Sequence, residues 1–349
     1  MTGQAHDFGE TLDWLLAPDT PGVRYLALRD LLGATAGDAE LETARREAHC
    51  HGPIATVLAA MHPDGYWVQP GPGYNPRYTS SVWALILLAQ LGASAAVDER
   101  IATAGAYMLD HALTPLGQFT ASGAPSGTAD CLQGNLCWSL LTLGCDDPRL
   151  ARAFEWLARS VTGEDIAPAT DRHAPLRYYA GKCGPGFACG SNNGLPCAWG
   201  AVKVMLALGA WPADRRTPLA QRAIEQGVDF LLGTDPALAD YPHGYSDKPS
   251  GNWWKFGFPV FYVTDLLQIV EALVSLGYGD DPRLSHALAV VRAKADAQGR
   301  WPLEYDYAGK TWGDFGPKKQ PNKWVTWRAL GALKAAGARG IDSDVDVDV

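Results

Sequence analysis

A short phrase, Leu-Gly or Ala-Gly closing an apolar run, recurs six times and limits what this chain can fold into. It stands at Leu32-Gly33, Leu91-Gly92, Leu143-Gly144, Leu208-Gly209, Leu276-Gly277 and Ala336-Gly337, with the glycines roughly 50 to 70 residues apart. Glycine just past a helix end adopts the left-handed conformation at little cost. The runs before it (25–32, 80–91, 132–143, 198–208, 262–276 and 325–336) are apolar on nearly every side, which predicts helices buried all round. Between them, residues 10–16, 40–61, 98–111, 148–160, 216–232 and 282–297 mix charge and apolar character at helical spacing. Asp146-Asp-Pro-Arg-Leu150 returns as Asp280-Asp-Pro-Arg-Leu284, and Asp before Pro is a strong helix start. Turn signals follow the outer helices at Asp64-Gly-Tyr-Trp67, Gly117-Gln-Phe119 and Gln298-Gly-Arg-Trp301.

This pattern predicts an all-α fold of six helical hairpins. Each hairpin has one amphipathic and one apolar helix, and the apolar ones close into an inner ring wrapped by six outer helices. The repeat crosses every candidate boundary, so residues 1–340 read as one domain. A long loop rich in Gly, Pro, Asn and Arg is inserted at 162–194, and residues 341–349 form an acidic, disordered tail. The net charge of −9, four acids of which lie in that tail, argues against nucleic acid and against an anionic membrane surface. No stretch approaches the ~20 apolar residues of a membrane span. The N-terminus shows no leader pattern, and seven cysteines are an odd number, so reduced thiols in the cytoplasm are expected.

The Leu-Gly closer serves as a ruler. Twelve residues back from it lie Thr20, Thr79, Cys131, Pro196, Thr264 and Trp324, the starts or early turns of the inner helices. Helix N-termini gathered at one end favour thiolates and anions. Cys131 and Cys197 fall at matching places in adjacent units, and Cys183 and Cys189 lie in the loop leading to the second. These four could hold zinc tetrahedrally, or could be buried free thiols that act as small apolar residues. Asp130 and Asp265 are the candidate acids, since a carboxyl buried among apolar groups has a raised pKa; an Asp at a helix start is also an ordinary cap. Aromatic residues crowd the approach to the inner helices. Tyr78, Trp83, Trp199, Trp254, Phe261, Tyr262 and Trp324 are the candidate substrate-binding set, by dispersion or cation–π attraction. Arg172, His173, Arg177 and Lys182 make the insertion basic and could meet a diphosphate, or simply belong to a solvated loop. His49-Cys50-His51 resembles a metal cluster but sits on an outer helix.

The outer-helix, Asp-Gly-x-Trp, loop, inner-helix, Leu-Gly grammar resembles the prenyltransferase and squalene-cyclase repeat. The motifs that carry the likeness are Asp64-Gly-Tyr-Trp67, Gln298-Gly-Arg-Trp301, Asp130-Cys131 and Leu195-Pro-Cys-Ala-Trp-Gly200. It spans about Pro21 to Gly337 and implies an (α/α)6 toroid whose central cavity handles an apolar, isoprenoid-like substrate, with or without a second subunit. The family's zinc motif is incomplete here. Cys131 matches its first cysteine, but Asp130 is adjacent and Ala129 stands where the aspartate belongs. Cys197 matches the second, with Leu195 in the histidine's place. The cyclase Asp-x-Asp-Asp acid is absent from the body. Two other classes stay open: a carbohydrate-active (α/α)6 glycosidase or lyase, which needs two carboxyls facing a groove, and a non-catalytic lipid or peptide binder.

Overall fold

The computed structural model describes residues 9–167, 170, 171, 173, 174 and 181–337. Among these the regular structure is thirteen α-helices and short 3-10 turns, with no strand. The first six are α1 (Gly9–Leu16), α2 (Pro21–Asp30), α3 (Ala39–Cys50), α4 (Pro53–Ala59), α5 (Ser81–Gln90) and α6 (Glu99–His111). Then come α7 (Asp130–Thr142), α8 (Pro148–Thr162), α9 (Ala198–Ala210) and α10 (Pro218–Leu232). The last are α11 (Leu266–Ser275), α12 (Ser285–Ala293) and α13 (Lys323–Ala335). The tail at 341–349, Arg172 and Arg177 lie outside the described residues.

The apolar helices are α2, α5, α7, α9, α11 and α13. Contacts run from α5 to α7, on to α9, α11 and α13, and from α13 to α2. Leu26 and Tyr25 of α2 lie against Gly92 beyond the end of α5, so the circuit closes. The amphipathic helices pack outside it: α1 on α2 and α13, α3 on α2, α4 and α6 on α5, α8 on α7, α10 on α9, and α12 on α11. The all-α toroidal arrangement expected from the repeat is therefore what the helices form.

The helix signals act as expected at most ends. Asp147 caps α8 through the Arg149 amide at 2.8 Å, and Asp281 accepts from Arg283 at 2.9 Å. Gly33, Gly92, Gly144, Gly277 and Gly337 all have positive φ. Gly209 does not: it lies inside α9, where a Cβ would stand 2.1 Å from Ser275 Oγ, so it permits close approach to α11 and ends nothing. The expected helix 40–61 is two, broken at Gly52 with φ +78, and His49 turns inward to bond Arg45 O and the Ser94 amide. Residues 262–265 are loop because Asp265 caps α11. Residues 282–297 reduce to a 3-10 turn and α12.

The Gly-x-Trp turns are clamps. Trp67 is fully buried, donates from Nε1 to Val57 O at 2.7 Å, and its amide donates to Ser81 Oγ. Trp301 repeats this with Val291 O at 2.7 Å and Thr326 Oγ1 at 2.9 Å. In the unit between, Phe119 N donates to Gln133 Oε1 on α7 at 2.7 Å. Each clamp ties the residue after the turn to an early side chain of the next inner helix.

One buried ion cluster fixes α11 against α13. Arg328 donates to both oxygens of Asp265 at 3.2 Å, to both oxygens of Glu271 at 2.7 and 2.8 Å, and to Gly257 O at 2.7 Å. Asp265 also accepts from the Gln268 and Gly257 amides. Removing one partner of such a pair leaves an uncompensated buried charge, at a cost of about 3–5 kcal/mol. Asp265→Ala should therefore lower the urea-unfolding free energy by about that amount; an unchanged midpoint would show that the cluster does not hold the ring.

Candidate functional site

The N-terminal ends of α7 and α9 lie side by side because glycines let the helices cross closely. A Cβ at Gly134 would stand 2.5 Å from the Lys203 backbone, and one at Gly200 would meet Asp130 Cβ at 3.3 Å. The segment 181–197 is stitched across these two ends: Asp130 N donates to Lys182 O, Cys189 N to Leu195 O and Cys197 N to Phe187 O. Asn192 ties it to the next loop, donating to Pro196 O and Pro242 O and accepting from the Gly244 amide.

Between these parts lies a pocket of about 380 Å³. Tyr74, Trp199, Tyr241, Trp253 and Tyr262 supply its aromatic walls; Cys131, Cys189 and Cys197 stand among them, with His243, Ser191 and Asn192. Trp199 and Trp253 meet edge to face at 6.2 Å, and the Tyr262 hydroxyl donates to that of Tyr74 at 2.6 Å. Arg77, stacked 5.8 Å over the Tyr74 ring, and Lys182 are the exposed cations on its lining. No Asp or Glu is among the described lining residues.

Of the expected aromatic set, Trp199 and Tyr262 are on this wall. Trp83 and Phe261, both fully buried, lie beneath it, Trp83 meeting Tyr262 at 5.1 Å; Tyr78 stacks on Phe261. Trp254 points elsewhere, donating to Ala237 O, and Trp324 stacks on Phe258 at 4.6 Å. Three of the four expected cysteines share the pocket; Cys183 is buried away from its lining. Among the described residues no three His, Cys, Asp or Glu side chains converge on a point that a metal could occupy. As they stand, these donors do not fit one zinc ion.

The thiols are not equivalent. Hydrogen bonding from the Cys197 S–H holds the Cys189 thiol well below its ordinary value; burial opposes this, and the Ser191 and Asn192 amides add to it. The same contact, with burial, raises Cys197. Burial, reinforced by Asp130, pushes Cys131 up to about 12. The surroundings thus favour the thiolate at Cys189 and the neutral thiol at Cys131.

Asp130 sits behind this wall between α7, α8 and α9. Its Oδ1 accepts from Ser160 Oγ at 2.9 Å and the Gly184 amide approaches the same carboxyl, while Oδ2 is buried with no well-formed hydrogen bond among the described residues. Burial raises its pKa to about 8, only partly offset by Ser160. Its surroundings therefore favour the protonated carboxyl, whereas the Asp265 oxygens are committed to Arg328 and two amides.

Sequence reasoning passed over Lys203, Gln268, Glu271 and Arg328. These line a second cavity, of about 210 Å³, whose wall takes residues from all six inner helices. The available signal was a charge within an apolar helix, as in Val202-Lys203-Val204.

Because the Asp130 carboxyl is raised in the folded state, its favourable contribution is complete below 3.8 and is lost as pH rises through about 8. Asp130→Asn should remove this slope. The stability difference between variant and wild type, followed by urea unfolding across that window, should shift in favour of the variant as pH rises. A pH-independent difference would show that Asp130 is ionised throughout.

No family model and no curated protein matches the chain. Among solved structures it is similar to a substituted form of the type II terpene cyclase MstE from Scytonema, in complex with geranylgeranyl dihydroxybenzoate. That match has 15% identity and a TM-score of 0.43, and covers 86% of this chain and 76% of that one. A second substituted, apo form of the same cyclase is similar at 16% identity, with a TM-score of 0.45 and the same coverage. Likeness at this level carries neither substrate nor site residues across.

Proposed function

We propose that this protein is an isoprenoid-handling enzyme, a transferase or cyclase, whose substrate occupies the aromatic pocket at the N-terminal ends of α7 and α9. The observation that carries this reading is the division of the pocket. Aromatic faces from Tyr74, Trp199, Trp253 and Tyr262 form one part, the cations Arg77 and Lys182 another, and no carboxylate is among the described lining residues. An apolar chain gains dispersion and area burial against the rings. An anionic end such as a diphosphate pairs with the cations. When the carbon–oxygen bond to that end breaks, its electron pair leaves with the anion, and the ring faces stabilise the allylic cation left behind. Asp130, whose burial favours the protonated form, lies behind the wall and not on it, and would serve the cyclase alternative only if the substrate reached past Cys131.

The same composition disfavours a glycosidase working by paired carboxyls, because such chemistry needs two of them facing the substrate. Farnesyl diphosphate is the probe. Its titration should quench tryptophan fluorescence, and Arg77→Ala with Lys182→Ala should weaken binding at least about tenfold, equivalent to about 1.4 kcal/mol. Trp199→Ala should weaken farnesol and the diphosphate alike. Binding that is absent, or unchanged in both the double variant and Trp199→Ala, would sink the proposal.

Zinc on Cys131, Cys189 and Cys197 is the cofactor arm of the proposal, and it requires these thiols to draw together around the ion. Elemental analysis should then give stoichiometric zinc that falls away in Cys197→Ser. Zinc-free protein whose Cys189 alkylates on the acid side of the ordinary thiol range would overturn that arm and leave a thiolate site.

A further inference from the structure

The second cavity lies within the same ring but shares none of its described lining residues with the aromatic pocket. At about 210 Å³ it exceeds the ~150 Å³ that holds a benzene ring in an apolar core. Trp138, Leu206, Phe258 and Trp327 give it an apolar body. Into that body projects Lys203 of α9, a residue only 1% exposed.

The partners of this lysine are unusual for a buried ammonium. Among the described residues its hydrogen-bond acceptor is Gln268 Oε1, an uncharged group that also accepts from Thr264, and no carboxylate stands within ion-pair distance. The two nearby carboxylates, Asp265 and Glu271, are both taken by Arg328. A lysine desolvated in an apolar site next to another cation is the arrangement that leaves the amine neutral and nucleophilic.

We propose that Lys203 is a carbonyl-capturing amine, and that this cavity takes an aldehyde or ketone of about ring size and condenses with it to a Schiff base. Nζ adds to the carbonyl carbon while the C–O π pair moves to oxygen. The oxygen then leaves as water with the two amine protons as the C=N bond closes, so no oxidant or reductant enters. The groups around the amine are Arg328 on α13, Asp265 capping α11, Glu271 on α11, Cys131 on α7 and Arg29 on α2. Burial first, opposed by Asp265 and aided by Arg328, brings the Lys203 ammonium down to about 7. The proposal is independent of the isoprenoid reading.

The test is reductive trapping on the intact chain, with benzaldehyde and cyanoborohydride near neutral pH, followed by peptide mapping. The peptide bearing Lys203 should carry the benzyl adduct at an occupancy at least about tenfold above that of the exposed Lys310, Lys318 and Lys319. Lys203→Arg should lose the adduct at that site and leave the surface labelling unchanged. Wild-type protein labelled at the surface lysines and bare at Lys203 would overturn the proposal, whether or not the variant folds.

Discussion

A single guanidinium, that of Arg328, sets the geometry on which the interior depends. It binds Asp265, Glu271 and the Gly257 carbonyl at once, joining α13 to the start and the middle of α11 and to the loop before it. An arginine suits this place because its planar fork can meet carboxylates in pairs without giving up its charge. Buried ion clusters of this kind are weak sources of stability, yet they are intolerant of losing one member. The arrangement spends both acids on one cation. It thereby settles two other matters: Asp265 has no oxygen left for chemistry, and Lys203 is left without a counter-ion.

The aromatic pocket rests on backbone contact more than on charge. Gly134 and Gly200 let α7 and α9 approach until the cysteines at their N-termini share one space. The segment 181–197 then lies across both starts, placing Cys189 where the Cys197 thiol and two amides stabilise its negative charge. Burial at neighbouring positions acts in the opposite sense and keeps Cys131 and Asp130 neutral. Three groups that look alike as candidate reactive residues are thus pushed apart by their surroundings, Cys189 toward the anion and Cys131 and Asp130 toward the protonated form.

The sequence was most legible where one residue does one local job. Asp147 and Asp281 cap as Asp-Pro starts should, and five closing glycines adopt positive φ. It was least legible where a residue answers to a distant partner. Gly209 has the same neighbours in sequence as the other closers, but its role is set by Ser275. The ruler placed Cys131 and Cys197 together because helix starts in adjacent hairpins must be neighbours. It could not say that Cys183 would turn away or that the donors would fail to converge. Of seven aromatic candidates, Trp199 and Tyr262 reach the pocket wall, while Trp324 serves packing against Phe258. Periodicity reports which face is buried; it does not distinguish a wall that faces a cavity from one that faces a neighbouring ring.

Trp199 and Lys203 are four residues apart on α9 and face different chambers. Charges in so little water are poorly screened, and Lys203 and Cys131 lie close enough to act on each other's protonation. A ligand that changes the charge of one chamber must therefore alter the proton balance of the other. Thermodynamic reciprocity makes that influence equal in both directions. The ring thus holds two chambers in one shared electrostatic interior.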